Sequence, residues 1–135
     1  LKPFHIAAIG GISGALSVAA GAFGAHFLKN LLAADALAVF ETGARYQMYH
    51  SLALLAVAWM HSAYPRARAD ITGWFFIGGV FLFSGSLYVL ALTGARWLGA
   101  ITPFGGICFV GGWLWMAYSM LRIRTRGTSE HDWNE

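Results

Sequence analysis

Three long runs of this chain, Phe4 to Leu28, Ile71 to Ala95 and Trp97 to Leu121, contain no Asp, Glu, Lys or Arg. Each exceeds the roughly 20 residues that carry a helix across a bilayer core. A fourth run, Tyr46 to Tyr64, also lacks formal charge, although Gln47, His50 and His61 make it the most polar of the four. The pattern predicts an all-α integral membrane bundle of four transmembrane helices, over about residues 4–28, 46–64, 71–94 and 102–121. Between the first two, Lys29 to Arg45 is too polar to cross and too apolar for a free loop. Leu32, Ala36, Val39, Phe40 and Gly43 share a helical face there, Asp35 and Glu41 point elsewhere, and Glu41 and Arg45 form an i,i+4 pair. A short amphipathic helix lying on the membrane surface over about 31–45 is expected. Thr102-Pro103 supplies an N-cap hydroxyl followed by the N1 proline that helix starts favour, which leaves Gly94 to Ile101 as a short outer connection bearing Arg96 and Trp97. Residues 1–126 would then form one transmembrane domain, and 127–135 a polar tail that is mobile unless a partner holds it.

The first run carries a packing pattern of its own. Gly10, Gly14, Ser17, Gly21 and Gly24 recur at alternating four- and three-residue spacing and draw a small-residue stripe down one face. Such stripes let helix backbones approach closely. The opposite face is also small, with Ala8, Ala15, Ala19 and Ala22, so this helix is expected to lie between neighbours at the centre of the bundle. Gly78-Gly79, Gly85, Gly105-Gly106 and Gly111-Gly112 repeat the theme in the later runs, among bulky Phe and Trp positions that suit lipid or a subunit interface.

Composition strengthens the membrane reading: hydrophobic residues make up 58% of the chain and charged residues 11%, against about 25% charge in soluble domains. The net charge of +3 then has a topological meaning. With four passes, Lys2, Arg66, Arg68, Arg122, Arg124 and Arg126 fall on one side and Lys29, Arg45 and Arg96 on the other. The positive-inside rule places both termini in the cytoplasm. Arg122, Arg124 and Arg126 also suit anionic lipid headgroups. The bilayer, further copies of the chain or a larger membrane assembly are the expected partners, and nucleic acid is not. The first run is too long and glycine-rich for the h-region of a secretory leader, although Leu1 leaves open what precedes it. Cys108 is the single cysteine, so neither an intramolecular disulfide nor a cysteine-based metal site is available.

Candidate chemistry gathers in the polar residues of the first half. With about 1.5 Å of rise per residue, His26 sits some 30 Å above Ile6 and His50 about 6 Å below Tyr46 on a descending second helix, which puts the two histidines at similar depth. Tyr46, Gln47, His50 and His61 share roughly one face, but His61 lies about 16 Å lower than His50. A cluster of His26, Gln47 and His50 is therefore expected at the outer end of the bundle, with Tyr46, Glu41, Arg45, Arg96 and the Thr102 helix start nearby. Three readings stand: a hydrogen-bonded knot in a structural or accessory protein, a small-solute or ion site at the mouth of a transporter or channel, or a metal or haem ligated by His26 and His50. No catalytic constellation and no cofactor is expected.

Gly21-Ala-Phe-Gly-Ala-His26, Phe40-Glu-Thr-Gly-Ala-Arg-Tyr-Gln-Met-Tyr-His50, Phe83-Ser-Gly-Ser-Leu-Tyr88 and Ile101-Thr-Pro-Phe-Gly-Gly106 occur in order along the chain. Together they closely resemble the small multi-pass membrane family called domain of unknown function 423, related to transmembrane protein 256. The resemblance covers about Phe4 to Leu121. It implies a four-span protein of the bacterial cytoplasmic (inner) membrane and brings no established activity, substrate or cofactor.

Overall fold

The computed structural model describes residues 1–129, with side chains as far as residue 123. The expectations for the Arg124 and Arg126 side chains and for the tail after residue 129 lie outside the described residues. Within them the chain is helical and contains no strand. Helix α1 (Pro3–His26) opens with proline at its first turn, where a missing N–H costs nothing. A 3₁₀ turn (Leu28–Asn30) then leads to α2 (Ala34–Ala63). At the far end of α2, a 3₁₀ turn (Pro65–Ala67) and Arg68, held left-handed at φ 48°, reverse the chain into α3 (Ala69–Gly79). A π-helical turn (Val80–Ser84) joins α3 to α4 (Gly85–Thr93) as one rod. Gly94, at φ 69°, ends that rod, and a 3₁₀ turn (Arg96–Ala100) feeds α5 (Thr102–Ser129).

Three of these segments, Pro3–Asn30, Ala69–Thr93 and Arg96–Ile123, are long and apolar enough to cross a membrane. The separate interfacial helix expected over 31–45 is absent, because α2 continues without a break from Ala34 through Ala63. Nothing in that stretch can stop a helix: it lacks proline, and Gly43 serves close packing. A Cβ at Gly43 would lie 3.1 Å from the Tyr88 ring and 3.3 Å from the Ser84 carbonyl.

The helices run antiparallel in sequence order, with the His26 end of α1 taken as the top. Near the top, Gly24 faces the Phe40 ring; near the bottom, Gly73 of α3 meets Ile6 and Val57. Helix α2 is the central element, with α1 along one side and α3, the π turn and α4 along another. Helix α5 packs on the α3–α4 rod. The central position expected for α1 is thus taken by α2, and much of the Ala8, Ala15, Ala19 and Ala22 face of α1 is left uncovered. Apolar contacts form two clusters. The lower one centres on Ile6, Leu54, Val57, Met60, Phe76 and Phe109, and the upper one on Leu28, Phe40 and Ala91.

Glycine contacts explain how closely the helices approach. A Cβ at Gly10 would come 3.0 Å from the Ser51 carbonyl, and one at Gly105 would overlap the backbone nitrogen of Phe83. Gly79 would strike the Phe109 ring and Gly112 the Phe76 ring. Gly14 and Gly24 make ordinary contacts at 3.7 and 3.4 Å, whereas Gly21, Gly85 and Gly106 have nothing within 4 Å.

The π turn has a geometric consequence. Twelve residues separate Phe76 from Tyr88, and in a regular helix about 100° per residue would leave them about 120° apart. One extra residue absorbed in the π turn removes about 100° of that. Both rings therefore face α2, Phe76 against His50 and Tyr88 against Phe40.

Candidate functional site

Between the two apolar clusters lies a layer of buried polar side chains that joins α1, α2 and α4. Gln47, on the α1-facing side of α2, donates from Nε2 to the Ser13 carbonyl at 3.0 Å and to Ser13 Oγ at 3.4 Å. Its Oε1 accepts the Tyr88 hydroxyl at 2.7 Å. Ser51 Oγ lies 2.7 Å from the Gln47 carbonyl and 2.8 Å from Ser13 Oγ. A hydroxyl has one proton, and the carbonyl can only accept, so Ser51 donates to Gln47 O and Ser13 donates to Ser51. One turn higher on α1, Ser17 Oγ donates to the Ala44 carbonyl at 2.7 Å.

His50 faces away from this layer, toward α5. Its Nδ1 is 2.8 Å from the Tyr46 carbonyl, and the Trp113 indole N–H donates to its Nε2 at 3.3 Å. The carbonyl accepts only, so Nδ1 carries the proton and Nε2 is the acceptor. The ring is thereby fixed as one neutral tautomer with both nitrogens engaged. Phe109 stacks on it with centroids 3.4 Å apart and planes within 7°, and Phe76 meets it edge-on at 5.1 Å. At the top, Ser86 Oγ and Thr102 Oγ1 lie 2.8 Å apart and join α4 to α5.

The residues expected to form one outer cluster are distributed over three environments. Gln47 and His50 are buried on two sides of α2. His26 is exposed at the end of α1. The Ser17–Ala44 and Gly24–Phe40 contacts put His26 level with the first turn or so of α2. His50 is about 12–15 residues further down, some 18 Å or more away, so no small ligand or single metal ion can join the two histidines. The expected equal depth assumed a helix beginning at Tyr46, whereas α2 begins at Ala34, about 18 Å earlier along its axis.

Tyr46 is 39% exposed and packs on Phe83. Glu41 and Arg45 are exposed and form no ion pair with each other; an exposed i,i+4 pair gains too little to hold two long side chains in one geometry. Both line an open groove of about 390 Å³ together with Ser17, Gly21, Ala44, Met48 and Tyr49. Arg96 is exposed in its 3₁₀ turn. Thr102 is the first helical residue of α5, and its hydroxyl turns back to the Leu98 carbonyl at 3.3 Å instead of capping forward. Among the described residues, no three His, Cys, Asp or Glu side chains come together as a metal site.

The sequence reading left Ser13, Ser51, Tyr88, Phe109 and Trp113 out of the site. A signal for the first two was available, since Ser13 and Ser17 on α1, and Gln47 and Ser51 on α2, are each one turn apart in otherwise apolar stretches. Polar pairs at matching spacing on two neighbouring membrane helices imply each other.

The profile of the family described as "Protein of unknown function (DUF423)" matches residues 20–106. The chain belongs to this family. That match takes in the α2 polar residues and Tyr88, while Ser13, Phe109 and Trp113 lie outside it. A UPF0382 membrane protein of Staphylococcus saprophyticus is 44% identical over 91% of this chain and 100% of its own length. The UPF0382 membrane protein YwdK of Bacillus subtilis is 40% identical over 90% of this chain and 98% of its own. The UPF0382 inner membrane protein YgdD of Escherichia coli is 40% identical over 87% and 90%. No solved structure matches the chain. Family and apolar helices together make this a multi-pass membrane protein of a family with no assigned activity.

Proposed function

We propose that the protein is a structural component of the bacterial inner membrane, a four-span bundle whose polar layer sets how its helices meet. The observation that carries this reading is that the layer's side chains already engage one another or backbone carbonyls: Gln47 with Ser13 and Tyr88, Ser51 with Ser13 and Gln47, Ser17 with Ala44, His50 with Tyr46 and Trp113. A solute path or a metal site needs donors and acceptors aimed at a ligand, and those of Gln47, Ser51, Ser17 and His50 are aimed at neighbouring helices or at carbonyls of α2 itself. Purified protein in liposomes is expected to pass protons, potassium and small neutral solutes no faster than empty vesicles. A wild-type flux abolished by Gln47→Leu or His50→Leu, with insertion retained, would overturn this reading.

The four-span threading is supported by the place of α2. It joins the top of α1 to the bottom of α3 and is packed between them, so two membrane-crossing neighbours carry it through the bilayer. Gln47, His50 and Ser51 are buried in the bundle, and in the lower half of α2 the outward stripe of Leu52, Leu55 and Trp59 is apolar. Exposed Trp59, Tyr64, Trp74 and Tyr118 mark the bottom end, beside Arg66, Arg68 and Arg122, as an aromatic belt and positive-inside flank would. Green fluorescent protein fused after Glu135 is expected to fluoresce and alkaline phosphatase there to be inactive. The opposite outcome contradicts the cytoplasmic placement of the C-terminus.

A further inference from the structure

The groove beside Glu41 and Arg45 is at odds with a lipid-facing surface. The Ser17–Ala44 hydrogen bond places Arg45 level with Ser17, nine residues or about 14 Å below the top of α1. Charged side chains at such depth face protein or a water-filled cavity, because lipid offers them no partner. Yet Glu41 and Arg45 point outward, one turn apart, and neither has an ion-pair partner among the described residues.

The two sides of α1 differ in the same sense. On the groove side lie Gly14, Gly21 and Ala25, with Val18, 61% exposed, as the one larger residue among them, and a Cβ at Gly21 would have nothing within 4 Å. The other side carries Ile12, Leu16, Phe23 and Phe27, 45 to 64% exposed, and suits lipid. Small residues on the groove side leave room for another helix backbone to approach.

We propose that this groove is the interface with a second copy of the same chain, the two related by a two-fold axis along the membrane normal. The charges choose the occupant. A two-fold axis along the membrane normal sets the two Glu41 residues at one level and the two Arg45 residues about 6 Å lower, an offset these long side chains span so that each Glu41 meets Arg45 of the partner subunit. Two ion pairs then form where the bilayer would otherwise face four unpaired charges. An apolar partner helix would leave those charges unanswered. The second copy also covers Val18 and Ala25, which are exposed beside the groove.

The proposal rests on α2 crossing the membrane, which the reporter fusions test separately. A misplaced reporter counts against the threading, and a monomer with the expected threading counts against the interface. The test is native mass spectrometry of the full chain released from mild detergent. Wild type is expected to be dimeric. Glu41→Arg makes the groove wholly positive and Arg45→Glu wholly negative, so each alone should weaken the dimer by at least roughly tenfold, as like charges face one another. Co-expressed, the two variants should recover a dimer containing one chain of each. Gly21→Ala guards against misfolding as the explanation, because a Cβ there has nothing within 4 Å among the described residues, and it should weaken the dimer with thermal stability unchanged. A monomeric wild type, or single variants as dimeric as wild type, overturns the proposal. So does a wild-type monomer that retains a phospholipid both charge variants lose, which would make the groove a lipid site.

Discussion

Replacing Gln47 with Leu is expected to lower the stability of the bundle by about 2–4 kcal/mol. Gln47 alone connects three helices, donating to Ser13 on α1 and accepting from Tyr88 on α4. Each interhelical hydrogen bond in a membrane is worth roughly 0.6–2 kcal/mol, and Leu removes two or three of them at once. The Tyr88 hydroxyl loses its acceptor, whereas Ser13 Oγ keeps Ser51, and an unmet buried polar group costs about 1–3 kcal/mol of its own. Leu restores the apolar volume, so the loss reports hydrogen bonding more than cavity formation. Unfolding in mixed micelles, followed by helical circular dichroism, measures the change. A value within about 0.5 kcal/mol of wild type, the range of an ordinary surface substitution, would show that the layer does not hold the helices.

Gly105→Ala and Gly106→Ala, one residue apart on α5, are expected to have opposite signs. A Cβ at 105 would overlap the Phe83 nitrogen and lie 2.7 Å from its Cβ and 2.8 Å from its Cα. These are mostly backbone atoms of the π turn, which cannot swing aside as the end of a long side chain can. Separating α5 from that turn should cost about 2–3 kcal/mol net, at the upper part of the usual overpacking range. It would also disturb the Ser86–Thr102 and Phe83–Phe109 contacts just beside it. At 106 nothing lies within 4 Å, so alanine should be neutral or stabilising by up to about 1 kcal/mol through helix propensity. Thermal unfolding of the pair provides the comparison. Equal effects would mean that the close approach at Phe83 is not present.

What could be read from the chain beforehand divides along physical lines. The helical class and three of the membrane-length helices follow from charge-free runs, because length and apolarity are local properties. The four quoted motifs pointed to the family whose profile matches residues 20–106. The start of α2 was misplaced because Glu41 and Arg45 read as surface charges, and a surface segment was separated from the buried one. Backbone helicity does not register that boundary, so the helix runs through it. Those twelve further residues of α2 are also why His26 and His50 lie at different depths. For Tyr88 the reason is different: a 3.6-residue period points it away from the face of Phe76, and the π turn, against which α5 packs, rotates it back. Trp113 and Phe109 could be assigned to His50 only once α5 was known to lie over that side of α2. Local pattern thus specified which segments are helices, and the long-range packing decided which polar residues meet.

The central claim is that Gln47 of α2 and Tyr88 of α4 hold each other inside the bundle. A double-mutant cycle with Gln47→Leu, Tyr88→Phe and the double variant, measured by reversible unfolding in lipid-containing micelles, tests it most directly. A coupling of about 0.6–2 kcal/mol is expected, with the double variant less destabilised than the sum of the two singles. Strict additivity, with each single variant unaffected by the presence of the other, would contradict it.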